Sequence, residues 1–492
     1  MKSWPRQPLI YEINAWVWLN EVSRKTGSCI TLASLPDEEW DQIAALGVDA
    51  VWLMGVWERS PEGVHISMTN EGLVTDFRRA LPDFAAEDNV GSPYCVRRYT
   101  VDAHLGGADA LAVARGKLAE RGLLLLLDFV PNHVAPDHPW VCEHPEYFIQ
   151  GSQEDLESDP RSFVERAGRV YACGRDPYFP AWADVLQLNA FDQGLRGIVI
   201  ETLTGIAAQC DGVRCDMAML LMNDVFEKTW GRRAGLAPKT DFWCQIIPEV
   251  KERYPEFKMI AEAYWDLEWA LQQQGFDFCY DKRLYDRLEH ESAETVRLHL
   301  CAELAYQEKL VRFIENHDEA RAAAVFTPAK HCTAAVTALT LPGAKLIHEG
   351  QMEGRRVRLP VFLARRPDEP ADSDLRGFYQ RLLEALRRGH FHQGTWRLCE
   401  RSGWPDNQSH LNLVSWCWQS GESACIIAVN LSDFPSQGLL HVPLEGLRGR
   451  AWVLKDIFTS VTYERRGDDM CDPGLYVDLP SWGFHFFMMS QA

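Results

Sequence analysis

The chain has 492 residues, 46% hydrophobic and 24% charged, which suits a globular protein of two or three domains with a large buried core. The 70 Asp and Glu against 50 Lys and Arg leave a net charge of −20, which disfavours a nucleic-acid partner, since such binding needs a basic face. No run of about 18 uncharged apolar residues occurs, so no membrane span is expected.

The N-terminal apolar run is broken by Glu12 and Asn14 and does not read as a signal peptide. The 14 cysteines are scattered and form no CxxC, so reduced, buried thiols and a cytoplasmic location are expected, and a zinc site is not. In chain order, strands are predicted at Leu9–Ile13, Ala50–Met54, Leu123–Phe129, Gly212–Cys215, Lys258–Ala261, Phe276–Tyr280, Arg312–Ile314 and Ala344–Ile347. Most are apolar on both faces, as parallel strands covered by helices should be. Helical patterns such as Asp37–Leu46 and Ala108–Arg121 lie between them, the latter stopped by Gly122. Eight strands with intervening helices predict a (β/α)8 barrel built from residues 1–133 and 196–388.

Residues 134–195 are too many for a βα loop and predict an inserted subdomain. From 389 to 492 the pattern changes to alternating strands (LNLVSWCWQ, SACIIAVNL, GLLHVPL, AWVLKDIF, GLYVDL, GFHFFMM), which predicts a C-terminal antiparallel β-sandwich.

On such a barrel, polar residues at the C-terminal strand ends are the catalytic candidates. The third strand ends in Asp128, with Asn132 and His133 just beyond it. The fourth carries Arg214 and Asp216, two apart and therefore on one side, so the guanidinium would keep the carboxylate ionised. Glu262 emerges from the apolar Met259–Ala261 wall, where a carboxyl can hold its proton and serve as a general acid. The seventh strand leads to Glu315, Asn316, His317 and Asp318. A structural reading remains open for each alone: a loop anchor at Asp128, an Arg214–Asp216 ion pair, an exposed Glu262 in a loop.

In this order, Asp128-Phe-Val-Pro-Asn132-His133, Gly212-Val-Arg214-Cys-Asp216, the Glu262 segment and Asn316-His317-Asp318 resemble the motifs of the α-amylase superfamily, glycoside hydrolase family 13. The second strand GVDAVWLMGV, the loop GSPYCVRRYTVD, the segment Asp184–Asn189 and the eighth-strand LPGAKLIHEGQMEG extend the resemblance over essentially the whole chain. It implies Asp216 as nucleophile, Glu262 as acid/base and Asp318 as the carboxylate that favours the distorted sugar ring. Arg214 would orient Asp216, His133 and His317 would bond the sugar, Tyr94 would lie under it, and Asp128 would brace the site. The implied reaction is a retaining double displacement, with the two reacting carboxyls about 5–5.5 Å apart.

Many starch-degrading members carry Lys-His three and four residues after the nucleophile; here Met219 and Leu220 stand there. This predicts a less polar leaving-group side and a weakened calcium site, with Asn132 as the remaining oxygen donor and no cofactor required. The expected enzyme is an α-glucosidase-like hydrolase of a small α-glucoside: a disaccharide, short oligosaccharide or glucosyl polyol. A transglycosylase or glycoside phosphorylase would use the same residues, and a non-catalytic carbohydrate-binding relative would normally lack one of the three carboxylates. Trp57, Trp182 and Trp265 lie near the motifs and are candidates for facing the sugar.

Overall fold

The computed structural model describes residues 3–388 and 390–492, without the side chains of His390 and His392. Gly389, where the C-terminal region is predicted to begin, lies outside the described residues. Eight strands form a closed barrel: β1 (Leu9–Asn14), β2 (Ala50–Met54), β3 (Leu124–Phe129), β4 (Gly212–Cys215), β5 (Lys258–Ala261), β6 (Phe278–Tyr280), β7 (Leu310–Arg312) and β8 (Ala344–His348). Their order around the barrel is β1-β8-β7-β6-β5-β4-β3-β2. β2, β3 and β4 are buried at every residue, the expected consequence of covering both faces of a parallel strand.

The chain resolves into two compact units, Tyr11–Tyr280 with Val357–Asp368, and Pro5–Ile10 with Asp281–Arg356 and Glu369–Ala492. In the first unit, Asn14 ends β1 and caps the helix Ala15–Thr26 by accepting from Trp16 N and Val17 N; Gly27 (φ 69°) stops it in the left-handed region. The helices predicted from Asp37 and Ala108 are Asp37–Ala45 and Gly107–Glu120. Between β3 and β4, the strands His133–Val134, Phe163–Arg166, Arg169–Gly174 and Trp182–Gln187 form a separate four-stranded antiparallel sheet.

The second unit holds β7, β8 and two antiparallel sheets. One is six-stranded: Thr395–Leu398, Leu413–Ser420, Ser423–Asn430, Phe484–Gln491, Ala451–Asp456, Thr462–Arg466. The other has three strands, Glu400–Ser402, Ser436–His441 and Leu475–Leu479. A shared core including Ile426, Phe487, Leu440 and Val477 joins them. Three of these strands escape the sequence pattern: Glu400–Ser402 and Thr462–Arg466 bury no residue, and Thr395–Leu398 is only four residues long.

β7 begins at Leu310 rather than Arg312. Arg312 is wholly buried, which its charge would normally forbid, but its guanidinium meets buried Asp281 and donates to Gln307 Oε1 at 3.0 Å.

Candidate active site

Strand register puts the chemistry of the first unit in two successive levels. Arg214 on β4 pairs with Asp128 on β3 and Ile260 on β5. One step beyond, Asp216 N donates to Phe129 O (2.8 Å) and Glu262 N to Cys215 O (3.0 Å), so the ladder itself fixes where both carboxylates leave the barrel.

Arg214 ties them together. Its Nη1 lies 2.6 Å from Asp216 Oδ1 and its Nη2 2.8 Å from Glu262 Oε2. The guanidinium is itself enclosed by the rings of Tyr94 (5.1 Å), Trp52 (5.6 Å) and Tyr280 (5.8 Å). Burial opposes its charge, but Glu262, the two tyrosines and Asp216 outweigh that and raise its affinity for the proton, so it stays cationic. A planar fork can bond two carboxylates through separate nitrogens, which a lysine ammonium cannot do in this geometry.

Glu262 departs from the expectation of an apolar pocket. The strand below it is apolar, and the side chain is only 3% exposed, but the carboxyl faces three donors. Besides Arg214, Met217 N donates to Oε2 at 2.6 Å and Tyr264 Oη donates to Oε1 at 2.9 Å. Met217 reaches this position in the left-handed region (φ 43°), an uncommon conformation for a non-glycine residue. The exposed-loop alternative for Glu262 is ruled out by this burial.

Asp128 braces the level below: Oδ2 accepts from Gly55 N (3.1 Å), and its carbonyl accepts from Trp57 Nε1 (2.7 Å). Trp57 is 2% exposed and therefore holds strand ends together instead of facing a sugar. Tyr99 Oη donates to Val130 O and accepts from Val130 N, at 3.0 and 2.9 Å, pinning the chain just after β3. Tyr94 is half-buried against Arg214. His133 is buried, its ring 5.3 Å from that of Trp182, and burial pushes its pKa down to about 4, leaving a neutral imidazole able to hydrogen-bond a hydroxyl.

Asn132 does not fit a calcium ligand. Its Oδ1 accepts from Gln187 Nε2 at 2.9 Å, and the same nitrogen lies 2.9 Å from Asn132 O and 3.0 Å from Leu188 O. An amide nitrogen thus sits where those three oxygens converge. Among the described residues no three His, Cys, Asp or Glu side chains gather as a metal site. Met219 and Leu220 are 0% and 3% exposed, in a turn whose Ala218 carbonyl takes the Trp243 indole, so they belong to the core and present no surface to a leaving group.

In the second unit, the segment after β7 carries His317 and Asp318. Asn316 Oδ1 accepts from Asp318 N and Glu319 N, both at 2.9 Å, which shapes the turn. His317 is buried, with Nε2 2.9 Å from Asp318 Oδ2; the Asp318 side chain is 42% exposed.

A network that the motifs did not reveal backs this segment. Glu315 is fully buried; Oε2 accepts from Ala322 N (2.7 Å) and Oε1 lies 3.2 Å from Arg321 Nη1 and 3.5 Å from His348 Nδ1. Arg321 Nη2 donates to Glu349 O (2.8 Å), linking the segments that follow β7 and β8. Gly350 (φ 83°) leaves room for it, since a Cβ there would meet Arg321 Nη2 at 2.5 Å. Burial pushes the Glu315 carboxyl up, while Arg321 and Ala322 N–H oppose that. Only the spacing of Glu315 and Arg321 around the Asn-His-Asp string hinted at this in the sequence.

The first unit thus presents an Arg-bridged carboxylate pair at adjacent strand ends of the closed barrel. No family model matches the chain. It is 26% identical over 396 residues to the α-amylase MalA of Haloarcula japonica, an alignment covering 78% of this chain and 49% of that protein. It is 27% identical over 241 residues to an α-1,4-glucan:maltose-1-phosphate maltosyltransferase of Rhodospirillum rubrum, covering 47% and 28%. The chain thus spans about half of the first relative's length and less of the second. The crystal structure of an α-amylase from Lactobacillus plantarum superposes with a TM-score of 0.68 at 18% identity, over 98% of this chain and 99% of that one, which shows the shared fold. The chain is similar in sequence to α-amylases and shares the fold of a crystallised one.

Proposed function

We propose that the chain is a retaining α-glycoside hydrolase of family 13 type that cleaves a small α-glucoside by double displacement. One observation carries this reading: Asp216 and Glu262, both buried, leave adjacent strand ends tied to opposite nitrogens of one guanidinium. In the first step Glu262 delivers its proton to the glycosidic oxygen while Asp216 attacks the anomeric carbon. The C–O bond to the leaving sugar breaks, and the glucosyl group becomes esterified to Asp216. Glu262, now a carboxylate stabilised by Arg214, Met217 N and Tyr264, removes a proton from water, which attacks the same carbon and frees Asp216.

His133, His317 and Tyr94 bind the sugar in this proposal, and Asp318 favours the oxocarbenium-like ring. Catalysis needs no metal, which the engagement of Asn132 by Gln187 supports. A cytoplasmic location is part of the same proposal. It is supported by fourteen cysteines that are all unpaired, and no helix among the described residues is long and apolar enough to cross a membrane. The maltosyltransferase relative favours a second reading, transfer of the glucosyl group to a sugar hydroxyl or to phosphate instead of water. A panel of α-glucosidic disaccharides, run with and without phosphate and with product analysis, tests both. Free glucose of retained anomeric configuration supports hydrolysis. Glucose 1-phosphate or new oligosaccharides replace it with phosphorolysis or transfer, and inverted product rejects the mechanism.

A further inference from the structure

Arg59 ends a short strand of the first unit, Trp57–Arg59, which follows β2 and pairs antiparallel with Val96–Val101. It is only 6% exposed, and burial pulls its proton affinity down to about 9, against the attraction of Asp102. Its Nε and Nη2 meet no hydrogen-bond partner among the described residues. A guanidinium so placed is costly, and an apolar side chain of similar length would avoid the cost.

What the guanidinium supplies is position. Its Nη1 donates to Gly91 O, and its Cζ lies 4.8 Å from the centroid of the Trp16 ring. Gly55 makes the space: a Cβ there would meet Arg59 Nη2 at 2.7 Å and Pro93 Cβ at 3.1 Å. Gly55 is itself fixed by two neighbouring strand ends, its N–H donating to Asp128 Oδ2 (3.1 Å) and its carbonyl accepting from Trp16 Nε1 (3.0 Å). The backbone of Arg59 is held as well. Its N–H donates to Asp102 Oδ2 at 3.3 Å, and in the strand pair it stands opposite Val96. One residue therefore holds Gly91 through its side chain and Val96 through its backbone, and these are the two ends of the loop that carries Tyr94.

Within the loop, Gly91 N donates to Asn89 Oδ1 (3.0 Å) and Tyr94 N to Ser92 Oγ (3.1 Å), so the turn is closed locally. A closed turn held at both ends passes its position on to Tyr94, whose ring lies 5.1 Å from the Arg214 guanidinium that bridges Asp216 and Glu262. In the function proposed above, Tyr94 lies under the sugar. Resting on that reading, we infer that Arg59 is a positioning residue for Tyr94: by holding both ends of the loop it sets the height of the ring, and so how closely the glucosyl group is bound. It acts through Tyr94 and not on the reacting atoms. A surface met equally by substrate and transition state governs KM, whereas the arrangement of Asp216 and Glu262 governs kcat.

A double-mutant cycle on the full-length chain tests this, with whichever of p-nitrophenyl α-glucoside, maltose, isomaltose and trehalose the wild type turns over fastest. Arg59→Met keeps most of the side-chain volume but removes the donor and the charge. It raises KM about ten-fold, changes kcat less than about two-fold, and leaves Tm equal to or above that of wild type, because the buried charge it removes had few partners. A merely structural arginine would do the reverse, lowering Tm and the active fraction with KM unchanged. In a Tyr94→Leu background the same substitution changes kcat/KM less than about two-fold, because the residue through which it acts is gone. An unchanged KM, a fall in Tm that accounts for the loss, or effects that add fully in the double variant would each overturn the role of Arg59. A wild type inert toward all four substrates would overturn the glycosidase proposal itself, and the positioning role with it.

Discussion

The carboxylates at the ends of β4 and β5 and the carboxylate after β7 are held in contrasting ways. Asp216 and Glu262 have side chains 8% and 3% exposed and share one caged arginine, with backbone N–H and phenol donors completing Glu262. Asp318 is 42% exposed and beside His317, and the order of its segment comes from beneath, through Asn316, Glu315 and Arg321. The difference matches the proposed tasks. A nucleophile and an acid must keep fixed geometry and charge before substrate arrives, whereas a group that bonds sugar hydroxyls must leave its oxygens open to them. Preorganisation by direct ion pairing therefore belongs to β4 and β5, and preorganisation by loop bracing to β7.

Breaking the direct pairing has the largest expected effect. Asp216→Asn lowers kcat by about four orders of magnitude with the fold intact by circular dichroism, because no nucleophile remains. Arg214→Lys lowers kcat and also destabilises the protein by about 1–3 kcal/mol in urea unfolding, since an ammonium keeps the charge but leaves one of the two buried carboxylates without its bond. A variant with near-normal stability and rate would show that the bridge is dispensable.

Loosening the loop bracing is expected to be milder. Glu315→Gln keeps the volume but weakens the Arg321 and His348 contacts, and lowers kcat about 10- to 100-fold through misplacement of His317 and Asp318. Rates equal to wild type would detach that network from the site.

A third test uses buried histidines in both units. Burial pushes His133 and His138 down to about 4 and about 3 in the first unit, and His331 to about 4 in the second. Unfolded, each takes up its proton near pH 6.5. Between about pH 6.5 and 4 the unfolded chain binds more protons than the folded one, so stability rises with pH across that window and is lost as pH falls through it. The urea midpoint at pH 5 should be below that at pH 7, and His138→Gln should flatten the slope. An equal midpoint at the two pH values would contradict neutral burial. The smallest effect is expected from exhaustive chelation. With Gln187 Nε2 among the Asn132 and Leu188 oxygens, neither Tm nor activity should change, and reversible loss of either would reveal a metal.

Much of the barrel was legible because parallel strands buried on both faces read as short apolar runs. β2, β4 and β5 fall where the runs predict them. β7 did not, because Arg312 is neutralised by Asp281, a residue far away in sequence. Asp216 and Glu262 were legible as well, each standing directly after its strand, and Asp318 through the Asn316-His317-Asp318 string. Their partners were not: Tyr264, Met217 N, Trp52 and Tyr280 carry no spacing signal that points to them. Met219 and Leu220, read as part of an apolar leaving-group side, proved to be core, because sequence offset from a nucleophile says nothing about which way a turn buries its side chains.

By itself, then, the order of residues determined which strands form and which acids stand at their ends, since alternation, apolar runs and local caps act over a few positions. Only the tertiary structure decided which donors those acids receive, that Asn132 is engaged by Gln187, that Trp265 meets Tyr178, and that Arg59 holds both ends of the loop carrying Tyr94. Those outcomes depend on distances between segments far apart along the chain, which close packing and strand register set and no local pattern encodes.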